Sequence, residues 1–196
     1  MSRRETPMTR WYWKQIGGTL IEEFCAVERV IGERGGRWID GIIIKGGAFK
    51  IARQSEVDVA GKDIIVIQAK DSRLGMYVMG QTFFSATLME TFKPRSIESI
   101  ALVAHDDSVL GPIFRSHDRM RVVVCPEEVM IRARMRFFVR KEGISEGPFS
   151  ETELLRRVED GQVEHSTPCR RSDEEEWSTV AELLLAREQK EGSQPK

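Results

Sequence analysis

The chain has 196 residues, 40% of them hydrophobic and 31% charged, with a formal net charge of −1. That length suits one ordinary domain or a domain with a small module, and the composition supports a packed core and excludes global disorder. No apolar run approaches the roughly 20 residues that span a bilayer.

Met1-Ser2-Arg3-Arg4 is not followed by an uninterrupted apolar signal core. Cys25, Cys125 and Cys169 are odd in number and far apart, which fits no disulfide framework and no zinc cluster. A cytoplasmic protein without membrane contact is the expectation. Residues 1–130 carry 18 basic and 17 acidic side chains, and residues 131–196 carry 12 and 14. Any nucleic-acid surface would therefore be a local patch rather than a field over a whole domain.

In chain order, Trp13 to Ile31 is predicted as the first helix. Ile16, Leu20, Glu23, Val27 and Val30 recur there at three- and four-residue intervals. Glu23 falls on that apolar stripe, where a carboxylate is costly unless it is paired or ligating. Gly35-Gly36 turns the chain into a strand over Arg37 to Ile44, and Gly46-Gly47 marks a tight turn. Phe49 to Val59 reads as a further strand or a hairpin arm, and Asp63 to Ala69 has the strongest strand pattern. Gly75 to Phe92 is predicted as a second helix with Met76, Met79, Phe83, Leu88 and Phe92 as its apolar residues, stopped by Lys93-Pro94. Ser99 to Ala104 and Arg121 to Cys125 read as two more buried strands. This order predicts an α/β domain with a mixed central sheet flanked by helices.

Pro126 to Met135 is the predicted boundary, giving domains over 1–130 and 131–188 and a disordered tail over 189–196. In the second, Phe137-Phe138-Val139 is a short strand and Gly143 a turn. Ser150 caps a helix whose apolar face is Leu154, Leu155 and Val158, with Glu153 completing a capping box. Trp177 and a helix from Val180 finish this small α+β module. Arg132, Arg134 and Arg136 would share one face if their segment is extended; a solvated edge strand and a phosphate contact both fit.

The chemistry concentrates between Trp38 and Lys70. Asp40 comes after Trp38-Ile39, and Gln68 and Lys70 end the run Ile64-Ile65-Val66-Ile67. Polar groups at the ends of β-branched runs have reason to be there when they line a site at the sheet's rim. A carboxylate, an amide and an ammonium meeting across neighbouring strands can bind a divalent metal and steady a phosphate, the chemistry of a metal-dependent nuclease. Plainer readings compete: Asp40 before Gly41 as a turn residue, Lys70 as a solvated strand end, and Glu23 paired with a basic neighbour. Asp58 and Asp63 have less apolar flanks, and Cys125 reads as core packing.

Glu23, Asp40 and Gln68-x-Lys70, with the helix opening at Leu74-Gly75-Met76 next in the chain, resemble the PD-(D/E)XK nuclease superfamily, in the branch related to Mrr-type restriction endonucleases. The resemblance covers about residues 11–125 and implies a restriction-endonuclease-like fold. It also implies hydrolysis of DNA phosphodiesters. Asp40, Gln68 and Glu23 would hold Mg²⁺ or Mn²⁺, and Lys70 would orient the attacking water. Gln68 stands where the commoner pattern has an acid. Lys70, Arg73 and Gln81 would contact DNA, and cutting both strands of a duplex would call for a homodimer. A catalytically silent protein that only binds DNA or protein is the rival expectation.

Phe137-Phe138-Val139, Gly147-Pro148-Phe149-Ser150 and the late Trp177 are similar to bacterial-type GYF domains (GYF_2). This implies an adaptor that binds a protein partner through Phe138, Pro148, Phe149 and Trp177, although the Gly-Tyr-Phe tripeptide is absent. The same aromatics also fit a reading as the module's own core.

Overall fold

In the computed structural model, which describes residues 5–33 and 35–191, the first helix is α1 (Glu5–Ile16). It stops where Gly17 and Gly18 take φ of +76° and +83°. A Cβ on Gly18 would collide with the Ile44 carbonyl oxygen, so the reversal needs glycine. The chain then enters a strand, β1 (Thr19–Val27). The predicted helix over Trp13 to Ile31 is therefore incorrect. Its apolar positions serve the two faces of a strand, with Leu20 packed on one side of the sheet and Ile21 and Phe24 on the other.

The remaining strands of the first sheet are β2 (Arg37–Ile44), β3 (Lys50–Ala52), β4 (Asp63–Arg73), β5 (Ser96–His105) and β6 (Met120–Val124). The expected strand from Phe49 to Val59 shrinks to β3 and a 3-10 turn over Gln54–Glu56. The sheet runs β3-β1-β2-β4-β5-β6. β2 is antiparallel to both neighbours, whereas β4, β5 and β6 run parallel. The sheet is thus mixed.

Helices cover both faces. Met8, Tyr12 and Trp13 of α1 pack on Leu20, Ile43, Ile65 and Ile67. On the other face α2 (Met76–Glu90) sets Val78, Ala86 and Met89 against Ile21, Phe24, Ile42 and Val66. Of the apolar residues predicted for α2, Met79 and Phe92 pack against the core and Leu88 is half-buried, but none is fully buried. Val78, Thr82, Ser85, Ala86 and Met89 are buried, while Met76 and Phe83 are exposed. Small side chains let the helix lie close to the sheet, which turns the large ones outward. Two short helices, α3 (Leu110–Arg115) and α4 (Glu127–Arg134), complete this region. Arg132 and Arg134 are therefore helical, and the shared extended face expected of the arginines does not form.

The chain divides into two compact units, residues 1–130 and 131–196. The second is a four-stranded antiparallel sheet, ordered β10-β9-β7-β8, from β7 (Phe137–Lys141), β8 (Ile144–Phe149), β9 (Pro168–Arg171) and β10 (Ser178–Thr179). Between β8 and β9, α5 (Glu151–Glu159) is capped by Ser150, whose Oγ accepts the Glu153 N–H. Gly147 has φ of +135°, and a Cβ there would stand 2.7 Å from the Phe137 carbonyl oxygen. Phe137, Val139, Phe149, Leu154, Val163, Cys169 and Val180 form the core. The last helix, α6 (Val180–Glu191), takes in residues 189–191 of the predicted tail, and 192–196 lie outside the described residues.

Candidate active site

The β2–β4 ladder ends at the pair Gly41–Ile67. One step beyond, the Ala69 N–H donates to Asp40 Oδ2 at 2.8 Å, so a carboxylate takes the place of the next backbone acceptor. The neighbouring strands share a distortion at this level. Ile39 and Ile42 pack on the same side of the sheet although three residues apart, and so do Ile21 and Phe24. Glu23 takes φ of +51° between pairs that keep their register, Glu22–Gly41 and Phe24–Ile39. Gly41 leaves room for α1, because a Cβ would stand 2.7 Å from Thr9 Cγ2. Asp40-Gly41 lies within a strand and makes no turn.

Two charged groups reach this rim. Glu5, in the first turn of α1, is 7% exposed and accepts from Lys70 Nζ at 3.1 Å; the Lys70 side chain is 46% exposed. Burial pushes the Asp40 carboxyl up to about 6. The Ala69 N–H opposes the shift, the Glu5 charge adds to it and Lys70 opposes it. Asp40, Glu5 and Lys70 thus act on one another electrostatically at the edge of the sheet.

The other predicted site residues differ in setting. Glu23 is an exposed β1 residue and is not on a helix. Gln68 is 4% exposed and turns towards α2, where its Nε2 donates to Ser85 Oγ at 2.8 Å. Arg73, exposed at the end of β4, donates to the Asp106 carbonyl, and Gln81 donates to the Tyr77 hydroxyl at 3.4 Å. Asp63 is held by Arg95 and Ser96, which depress its pKa well below the usual carboxylate range.

Among the described residues, no three His, Cys, Asp or Glu side chains gather to hold a metal ion. Of the expected set, Gln68 gives its amide nitrogen to Ser85 of α2, and Glu23 is exposed on β1, where its neighbours Glu22 and Phe24 pair with Gly41 and Ile39 on either side of Asp40. The rim also offers the carboxylate pair of Asp40 and Glu5. Mg²⁺ is commonly bound by one or two carboxylates with water and substrate phosphate completing the shell, so this donor set fits it. Glu5 is the residue that sequence reasoning missed. Its signal was present: Glu5, Met8, Thr9, Tyr12 and Trp13 recur at helical spacing and are the buried residues of α1.

In the second unit, Phe149 is core, 7% exposed beneath the Arg157 guanidinium. Phe138 and Trp177 are half-buried, and Pro148 is exposed. Arg140 stacks 4.0 Å from the Trp177 ring, while Arg170 lies 4.8 Å from Phe138 and 5.4 Å from Trp177. The two aromatics carry guanidinium groups, not an open apolar groove.

Residues 137–183 match the GYF domain 2 family. The match spans the GYF-type sheet, α5 and the start of α6. No curated protein matches the chain. Among solved structures, the chain is similar to one described as an EndoMS–dsDNA2 complex, at 14% identity and a TM-score of 0.39. The alignment covers 64% of this chain and 46% of the other, so the chain spans less than half of that neighbour's length. A likeness this weak carries no argument about activity.

Proposed function

We propose that the first unit is a metal-dependent endonuclease acting on DNA and that the GYF-type unit is its protein-binding adaptor. The observation that carries this reading is the rim cluster of Asp40, Glu5 and Lys70. An ionisable acid is held there at 2.8 Å from a backbone N–H, beside a second carboxylate and a lysine at 3.1 Å from it. A perturbed acid such as Asp40, beside a cation at a strand rim, marks a candidate functional site.

Asp40 and Glu5 are the proposed ligands of Mg²⁺ or Mn²⁺. The ion, when bound, supplies positive charge that polarises the phosphodiester and lowers the pKa of the attacking water. Lys70 moves from Glu5 to the scissile phosphate and stabilises the charge that develops there. Arg73 and Gln81 contact the flanking backbone, a local patch consistent with a unit whose charges nearly balance. Gln68 in this reading positions β4 against α2 through Ser85 and takes no ligand role.

One observation favours a second reading, a catalytically silent protein that binds DNA. The residue at the family's usual acid position, Gln68, is buried and committed to Ser85. Cleavage of supercoiled plasmid with Mg²⁺ or Mn²⁺ separates the two. Nicking by the wild type, lost in Asp40→Ala and Lys70→Ala, is the expected result. DNA binding without cleavage by any of the three proteins would favour the silent reading, and cleavage retained in both variants would remove this site from consideration.

A further inference from the structure

α2 buries Val78, Thr82, Ser85, Ala86 and Met89 and leaves four large side chains bare. Met76, Tyr77, Phe83 and Phe84 are 77%, 72%, 45% and 65% exposed. They lie at four and three positions before Gly80 and three and four positions after it, on one face of a 15-residue helix. We propose that this face is the interface between two copies of the chain, with two α2 helices crossing antiparallel at Gly80.

The spacing makes the face self-complementary, as a twofold interface requires. An antiparallel partner sets its Phe83 and Phe84 against Met76 and Tyr77 of the first helix, and the reverse contact forms by symmetry. Gly80 gives the second argument. A Cβ built there meets no atom of the chain within 4 Å, so nothing internal requires glycine. Yet glycine inside a helix costs about 1 kcal/mol relative to alanine. Missing side chains let another backbone come close, and the centre of the crossing is where that matters.

The area is of the right order. With about 200 Å² for a full aromatic side chain, the four residues leave roughly 500 Å² of apolar surface bare. A standard interface buries about 800 Å² per partner. A groove of about 380 Å³ beside Phe84, lined by Val27, Gly35, Arg37, Thr87 and Leu88, extends the surface towards the C-terminal half of α2. The N-terminal half of an antiparallel partner lies there, and the unbranched Met76 suits an irregular groove. This inference does not depend on the nuclease reading, since it concerns association and not cleavage.

Sedimentation of the full chain at micromolar concentrations tests it, with no DNA or metal present. The wild type is expected at twice 22.4 kDa. Phe84→Glu and Gly80→Leu should each weaken association roughly 30-fold, the loss of an interface hot spot, with far-UV circular dichroism unchanged. Met76→Lys, at the most exposed of the four positions, provides a variant that leaves the fold alone. A monomeric wild type would overturn the proposal. So would a dimer that all three substitutions leave intact.

Discussion

Asp40→Asn should make the protein more stable at pH 8 while it abolishes the proposed activity. In the fold, burial holds the Asp40 carboxyl up to about 6, against an ordinary 3.8. Below pH about 4 the group is protonated in both folded and unfolded chains and adds no pH-dependent term. As the pH rises, the unfolded chain gives up this proton first. The folded state then binds more protons, and stability falls until the pH passes about 6. The difference between the two values corresponds to about 3 kcal/mol lost at neutral pH. Asparagine carries no charge, and its Oδ1 can still accept the Ala69 N–H. The stronger bond that the ionised carboxylate accepts from Ala69 is already included in that difference. Urea unfolding should therefore show Asp40→Asn about 3 kcal/mol more stable than wild type at pH 8, with little gain near pH 4. Equal stability at pH 8, or the same gain at both pH values, would refute the idea that a buried ionised carboxylate is maintained here at the expense of the fold.

Lys70→Met removes the charge that holds the Asp40 pKa down, so NMR titration of the Asp40 carboxyl should place it above its wild-type value of about 6. Met8→Ala empties a site that is fully buried between α1 and the sheet and should cost about 2–4 kcal/mol in denaturant unfolding. Gly147→Ala places a Cβ against the Phe137 carbonyl at a φ of +135° and should destabilise the second unit by about 2 kcal/mol, read as faster amide exchange in β7 and β8. Burial pushes the Cys125 thiol to about 12 and the Cys169 thiol to about 11, so a thiol reagent at pH 8 should titrate only the half-buried Cys25 until the protein is unfolded.

The central strands were legible because their apolar runs are long and β-branched: Arg37 to Ile44 was read as observed, and Asp63 to Ala69 fell short only of its polar end. The mixed α/β class emerged from their alternation with helical segments. The first helix was misread because a strand buried on both faces has no two-residue alternation. Ile16, Leu20, Val27 and Val30 could then be counted as a helical stripe, although Gly17-Gly18 marked the break. In α2 the misreading had another cause. Hydrophobicity alone cannot show that Ser85, Ala86 and Thr82 pack inward while Phe83 and Phe84 stay bare. In the candidate site, Asp40 and Lys70 were visible as polar ends of apolar runs. Glu5 shares the helical spacing of Met8, Thr9, Tyr12 and Trp13, but its place at the rim depends on how α1 lies across β2 and β4, a contact distant in sequence. Gln68 was visible but its direction was not, since the side of the sheet that a strand-end residue faces depends on the local ladder.

Which acid accompanies Asp40 decides what the rim can do. Glu5 is buried on Lys70, whereas Glu23, the acid expected from sequence, is exposed on β1. Mg²⁺-dependent plasmid cleavage by Glu5→Gln and Glu23→Gln, run beside the wild type, compares them directly. Glu5→Gln is expected to lose cleavage by about 100-fold or more, in line with removal of a metal-site group, and Glu23→Gln to cleave at the wild-type rate. Full activity in Glu5→Gln together with loss in Glu23→Gln would contradict the proposed site.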